Sequence, residues 1–376
     1  MEYKLNHKQL RSARIARGMS MKDLAEKIGV SRQMISYYES NKKSPSTATL
    51  LEIMAVLKFP REFFSVEIDA PVGGATFFRK QSANTKKTRE MQQERLKYFN
   101  EIYEKLARFV NFPTVNLPEL IEKDVHDITE EDIIQKAMEL REVWSIDKVS
   151  PIKNLVQLAE KNGIVIAEST VSDRTLDALS RWIADRPFIM LADNQESSVR
   201  RRFNVAHEIG HIILHNSVES IYDYSNIELK NIIERQANLF ASHFLLPNNS
   251  FVDSLLSTSL EYFVELKKYW RVSIQAMLHK AHHLELINDD RYLYLVKQVA
   301  FKKWKTKEPL DDELAVEKPT LLEKVYEMVV QNGIVSKQEL NKQFNLPLDE
   351  IKKMISPLVI IDENEKESTP TLKLIK

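Results

Sequence analysis

Two histidines four residues apart, with a glutamate after the first, stand in "FNVAHEIGHIILH" over residues 203–215 and restrict this chain more than any other feature. Residues four apart on an α-helix share one face, so His207 and His211 can reach a single metal ion through their imidazole nitrogens. Glu208 sits about 100° round the helix, poorly placed to ligate but close to a coordinated water, where a carboxylate can act as general base. Two histidines do not complete a site. His215 lies about 12 Å along the axis from His207 and roughly 80° round, so it cannot share the ion. The pattern that adds a glycine three and a histidine six residues after the second ligand is absent, because Leu214 and Ser217 occupy those positions. A carboxylate from another element is required. Glu234 in "ERQANLFASHFLLP" is the best candidate, on a second amphipathic helix with Asn238 one turn further on. Gly210 fits the same picture: a glycine inside a helix costs about 1 kcal/mol, and its bare backbone lets a neighbour pack close beneath the ion.

Composition narrows the chemistry. The chain has no cysteine, so disulfides and thiolate ligands are excluded, and a bound Zn2+ must use histidine, carboxylate and water. A cytoplasmic location fits. The N-terminal residues lack the apolar core of a signal peptide, and no apolar run approaches the length of a membrane span. Seven glycines in 376 residues favour helices over turn-rich β structure. The net charge of zero hides a basic front: residues 1–66 carry twelve Lys and Arg against six Asp and Glu, and residues 79–97 carry seven against two. Such a surface suits phosphates.

That front has helix punctuation. Asn6 can cap a first helix, Ser20 with Asp23 forms a capping box for a second, Gly29 ends it, and Ser31 caps a third. In "SMKDLAEKIGVSRQMISYYESNKKSP" the core positions are Leu24, Ala25, Ile28 and Ile35, with Val30 at the turn. This spacing sets the third helix into a major groove of double-stranded DNA. Arg32, Gln33 and Ser36, with Tyr37, would reach base edges, while Lys22, Lys42 and Lys43 would meet phosphates. A helical bundle serving protein contacts is the plainer alternative. Residues 5–62 resemble the XRE, or Cro/C1-type, helix-turn-helix, which implies DNA binding, as a homodimer on paired half-sites.

Behind it the chain reads as a basic linker and amphipathic connecting helix over 67–126, then a metallopeptidase domain over 127–300. Within the latter, "GIVIAES", "TLDALSRWIAD" and "RPFIMLAD" are strand candidates, the last a candidate edge for an extended peptide. An acidic linker at 301–318 leads to a small winged-helix-like module over 319–376, with three helices and a strand-loop-strand. Its eight lysines against nine acidic residues favour partner contact over strong DNA binding.

"RRRFNVAHEIGHIILH" with "ERQANLFASHFLLP", together with "FFRK" and "LREVW", resembles the ImmA/IrrE metallo-endopeptidases. Members commonly follow an XRE domain. The resemblance implies a small zincin-like α+β domain within a mostly α chain, behind a five-helix N-terminal domain. It implies zinc on His207, His211 and Glu234, with Glu208 as base. It also implies regulated cleavage of a repressor- or antitoxin-like protein. Two buried helix histidines without an ion, or a proteolytically silent metallo-domain that senses a ligand or partner, are the alternatives.

Secondary features point less sharply. Arg200, Arg201 and Arg202 at the start of the motif helix could grip a carboxylate or nucleic acid, or form structural ion pairs. Tyr222 and Tyr224 could polarise a carbonyl or simply pack. His243 stands about 180° round from Glu234, away from the ion. His279, His282 and His283, without an evident carboxylate partner, read as packing or surface residues.

Overall fold

The structure is a computed structural model that describes residues 5–66, 76–80, 86–169, 176–192, 197–216, 218 and 227–356. Two compact units divide the chain. The first begins with α1 (His7–Ala16), α2 (Met21–Lys27), α3 (Arg32–Glu39) and α4 (Thr47–Leu57), followed by a short 3-10 helix over Arg61–Phe64. The expected caps are in place. The Asn6 side chain accepts from the Lys8 amide, Ser20 and Asp23 satisfy each other's backbone amides, and Ser31 accepts from the Met34 amide. Gly29 takes φ +68° at the turn between α2 and α3, a conformation that side chains disfavour. Leu24, Ala25, Ile28 and Ile35 are buried. Arg14 forks onto the Glu39 carboxylate at 2.5 and 2.8 Å, both side chains buried, and ties α1 to α3.

The connecting helix α5 (Lys86–Ala107) belongs to this unit. Its apolar stripe, Phe99, Ile102 and Leu106, is fully buried, together with Tyr98. Tyr98 stacks edge-on against Phe59 and Phe63, and its hydroxyl sits 2.9 Å from Ser12 Oγ. Burial raises the Tyr98 phenol well above its ordinary pKa.

The second unit contains the sheet and the motif helices. β1 (Thr76–Lys80), β2 (Val165–Ser169), β3 (Leu176–Ile183) and β4 (Arg186–Ala192) form one sheet in the order β1-β3-β4-β2. β3 pairs antiparallel with both β1 and β4, while β2 runs parallel to β4. The strand "RPFIMLAD" is therefore paired on both sides, and the expectation that it offers an edge to a peptide is corrected. A hairpin turn at Ala184, φ +51°, joins β3 to β4. β1 falls in the stretch read from sequence as a polar connector.

Around the sheet stand α6 (Glu130–Val143), α7 (Leu155–Lys161), α8 (Ser198–Leu214), α9 (Ile227–Leu245), α10 (Asn248–Ser254), α11 (Leu260–Trp270), α12 (Ile274–His283) and α13 (Asp289–Phe301). One apolar core runs through them, from Ile133 and Leu140 on α6 to Ile209 and Ile213 on α8 and Phe240 and Phe244 on α9. The acidic stretch 301–318 is built into this unit. Buried Glu308 accepts from the Ile274 and Gln275 amides at the start of α12 and pairs with buried Lys267. Glu317 accepts from the Leu155 and Val156 amides and pairs with Arg202. Carboxylates here satisfy amides that a helix start leaves without partners. Arg201 pairs with Glu168, so two of the three arginines of the motif helix are structural.

The chain then supplies α14 (Leu321–Gln331), α15 (Lys337–Gln343) and α16 (Leu348–Met354), grouped from Leu322 on with the first unit. Arg17, the residue that caps α1, donates to Asp349 at 2.7 Å and to buried Glu350 at 3.1 Å, and Arg95 of α5 also pairs with Glu350. The expected strand-loop-strand beyond 356 lies outside the described residues, as do Tyr222 and Tyr224.

Candidate metal centre and nucleic-acid interface

The fold brings together three of the expected ligands. α8 and α9 pack closely, because Gly210 presents bare backbone: a Cβ there would lie 3.1 Å from Phe240 Cδ1 and 3.3 Å from Ala237 Cα. His207 Nε2 and His211 Nε2 are 3.0 Å apart. Glu234 brings its carboxylate oxygens to 3.6 Å from His207 and 3.8 Å from His211. Both histidines and Glu208 are fully buried, and Glu234 is partly exposed.

Hydrogen bonds on the far sides of the rings define which nitrogens carry protons. Asn238 Oδ1 accepts at 3.0 Å, so His207 is protonated on Nδ1 and its Nε2 keeps a lone pair. For His211 the chain of reasoning is longer. The Gln236 amide nitrogen donates to the Val125 and Ile128 carbonyls, which turns Gln236 Oε1 toward His215 Nε2 at 2.9 Å. His215 must then donate from Nε2. Burial pushes its pKa down to about 4, so it is neutral and its Nδ1 is an acceptor. His211 Nδ1, 3.0 Å away, is the donor, and His211 Nε2 also carries a lone pair. With both rings neutral, two imidazole lone pairs and a carboxylate converge, a donor set that a divalent cation would complete. The residues fit a His-His-Glu zinc site.

Glu208 is held from the sheet side. Ser180 Oγ on β3 donates to Glu208 Oε2 at 2.5 Å, with both residues fully buried. Nothing in the sequence marked Ser180, since its partner depends on how β3 lies against α8. His215 turns its Nδ1 to His211 and its Nε2 to Gln236, so it orients a candidate ligand, a role the sequence alone does not assign; its one-turn spacing from His211 was the available signal. His243 does point away from the centre, toward Asn248 and Lys280. The histidines of α12 need a correction: His282 contacts Asp289 at 2.7 Å and His283 contacts Glu130 at 2.6 Å, so both have carboxylate partners, from residues distant in sequence or in the next helix.

In the first unit, α3 exposes Arg32 and Gln33, with Ser36 and Tyr37 half-buried behind them. Gln33 Nε2 donates to Tyr37 Oη at 2.6 Å, and Lys43 Nζ lies 5.5 Å from the centre of the Tyr37 ring. Lys22, Lys42 and Lys43 are exposed. Among the described residues no helix is long and apolar enough to cross a membrane.

These two regions define a protein that joins a helix-turn-helix domain to a metallopeptidase-type domain. Residues 10–64 match the helix-turn-helix family, and residues 159–282 match the IrrE N-terminal-like domain, Peptidase_M78. The resemblance read from the motifs, and the mostly helical architecture with a zincin-like α+β part, agree with these matches. No curated protein matches the chain. The crystal structure of Bacillus thuringiensis PlcR in complex with the peptide PapR7 and DNA aligns over 92% of this chain and 95% of that one. Its identity is 11% and its TM-score 0.15, a likeness too slight to carry an argument.

Proposed function

We propose that this chain is a cytoplasmic DNA-bound regulator whose second unit is a zinc-dependent endopeptidase acting on a repressor- or antitoxin-like protein. The observation that carries this reading is the convergence of His207, His211 and Glu234 beside a buried Glu208. Those three residues would hold the ion, which supplies Lewis-acid polarisation of a scissile carbonyl and a water acidic enough to lose a proton near neutral pH. Glu208 is the group that takes that proton. The Ser180 hydroxyl donates to this carboxylate and fixes its direction. In the first unit, Arg32, Gln33, Ser36 and Tyr37 would read base edges, while Lys22, Lys42 and Lys43 hold phosphates, on paired half-sites bound by a homodimer.

Substituting Glu208→Gln tests the proposal. Incubated with repressors encoded beside its gene, the wild type is expected to cut one of them. The variant should lose about 100- to 10,000-fold in rate with its zinc content unchanged. Complete burial of His207, Glu208 and His211 favours a second reading, in which the domain senses a ligand or partner without cleavage. Unaltered regulation by the Glu208→Gln protein in cells would establish that reading over the first.

A further inference from the structure

We propose that Glu130, His243 and His283 form a second divalent-cation site, suited to zinc and separate from the centre on α8 and α9. Glu130 is the first residue of α6, His243 lies in the last turn of α9, and His283 ends α12. One ligand atom from each lies within 4.8 Å of the other two. Glu130 Oε1 is 2.6 Å from His283 Nε2 and 3.7 Å from His243 Nε2.

The Glu130–His283 contact alone needs no ion, since a carboxylate at a helix start is favourable and the imidazole can donate to it. His243 is not accounted for in that way. It is 2% exposed, and its Nε2 is buried with no hydrogen-bond partner, the carboxylate at 3.7 Å being out of reach. Leaving such an atom unsatisfied carries a desolvation cost, so something should occupy the space it faces. Two groups face the opposite nitrogen. Asn248 Oδ1, 3.0 Å from Nδ1, accepts a hydrogen bond, which puts the ring proton on Nδ1 and leaves a lone pair on Nε2. Lys280 Nζ, 2.7 Å from the same Nδ1, opposes that tautomer, and its charge weakens a cation nearby. Two imidazoles and a part-exposed carboxylate, with solvent able to fill the remaining position, are the donor set of a three-ligand zinc site.

This site is independent of the first. Nine residues separate His243 from Glu234, which sets them about 180° apart on α9. Glu130 and His283 fall outside the residues that match the IrrE N-terminal-like domain. Occupied, the site would fasten the start of α6 and the end of α12 to α9.

Equilibrium dialysis of the full chain against buffered zinc, with metal counted by mass spectrometry, tests this. The wild type is expected to hold two zinc ions, His211→Ala, His283→Ala and Glu130→Gln one each, and His211→Ala/His283→Ala none. Control His282→Ala, next to the cluster, keeps two. Both His283 and Glu130 have side chains more than a third exposed, so these variants should fold as the wild type does by circular dichroism. Substitution of Lys280 by Met is expected to tighten the second ion; weaker binding would contradict the site. A wild type that holds one zinc, lost in His211→Ala and kept in His283→Ala, overturns the second site and leaves the first intact. Loss of that single ion in His283→Ala but not in His211→Ala would instead support the site proposed here and undo the endopeptidase reading.

Discussion

The proton on His211 Nδ1 is held in place by a residue that ligates nothing. His215 accepts it, and Gln236 keeps His215 in the required tautomer by way of the Val125 and Ile128 carbonyls. Partners behind metal-bound histidines commonly tune affinity, so His215→Ala is expected to weaken zinc binding about 10- to 100-fold while leaving the three ligands in place. Competition with a chromophoric chelator would measure it, and wild-type affinity in that variant would show the relay to be idle. The three candidate ligands are legible in the sequence because their spacing is local: His207 and His211 share a helix face, and Glu234 sits on an amphipathic helix close downstream. Ser180, which steers Glu208, was not, because strand residues acquire partners only when the sheet meets a helix. The same limit hid the Glu130 partner of His283, 153 residues away.

At the level of elements, the approach of α8 to α9 depends on one missing side chain. Gly210→Ala would gain helix propensity, about 1 kcal/mol, but drive a methyl into Phe240 and the Ala237 backbone. The overpacking should win, for a net loss of about 1–2 kcal/mol, readable as a lower urea midpoint of the metal-free protein. An unchanged midpoint would mean that α9 moves aside freely. The caps Asn6, Ser20, Asp23 and Ser31 could be read from sequence because a cap is a contact within three residues. Strand β1 could not. Its five residues sit among glycines and lysines, and its pairing with β3 joins segments about a hundred residues apart. Nor does alternation reveal that β4 lies inside the sheet, since a strand paired on both sides and one at an edge can carry the same apolar run.

For the molecule as a whole, the amphipathic stripe of α5 and the three helices α14–α16 are visible as patterns, but a pattern does not say what it will cover. Glu350 shows what they meet: it is 1% exposed and takes Arg17, which caps α1, and Arg95 of α5. Glu350→Ala removes a buried carboxylate that two guanidinium groups share, and although Asp349 still serves Arg17, a loss of about 2–4 kcal/mol is expected. A thermal scan of the variant would check it, with an unmoved transition in the first unit refuting the assigned pairing. The first unit is thus assembled from three separated stretches, with the second threaded between them. On the ribosome the second unit is fully synthesised by residue 321, before the last stretch of the first has emerged. Arg17 and Arg95, made early, meet Glu350 only once α16 follows. A nascent chain cut short before that point would lack the carboxylate that both arginines share.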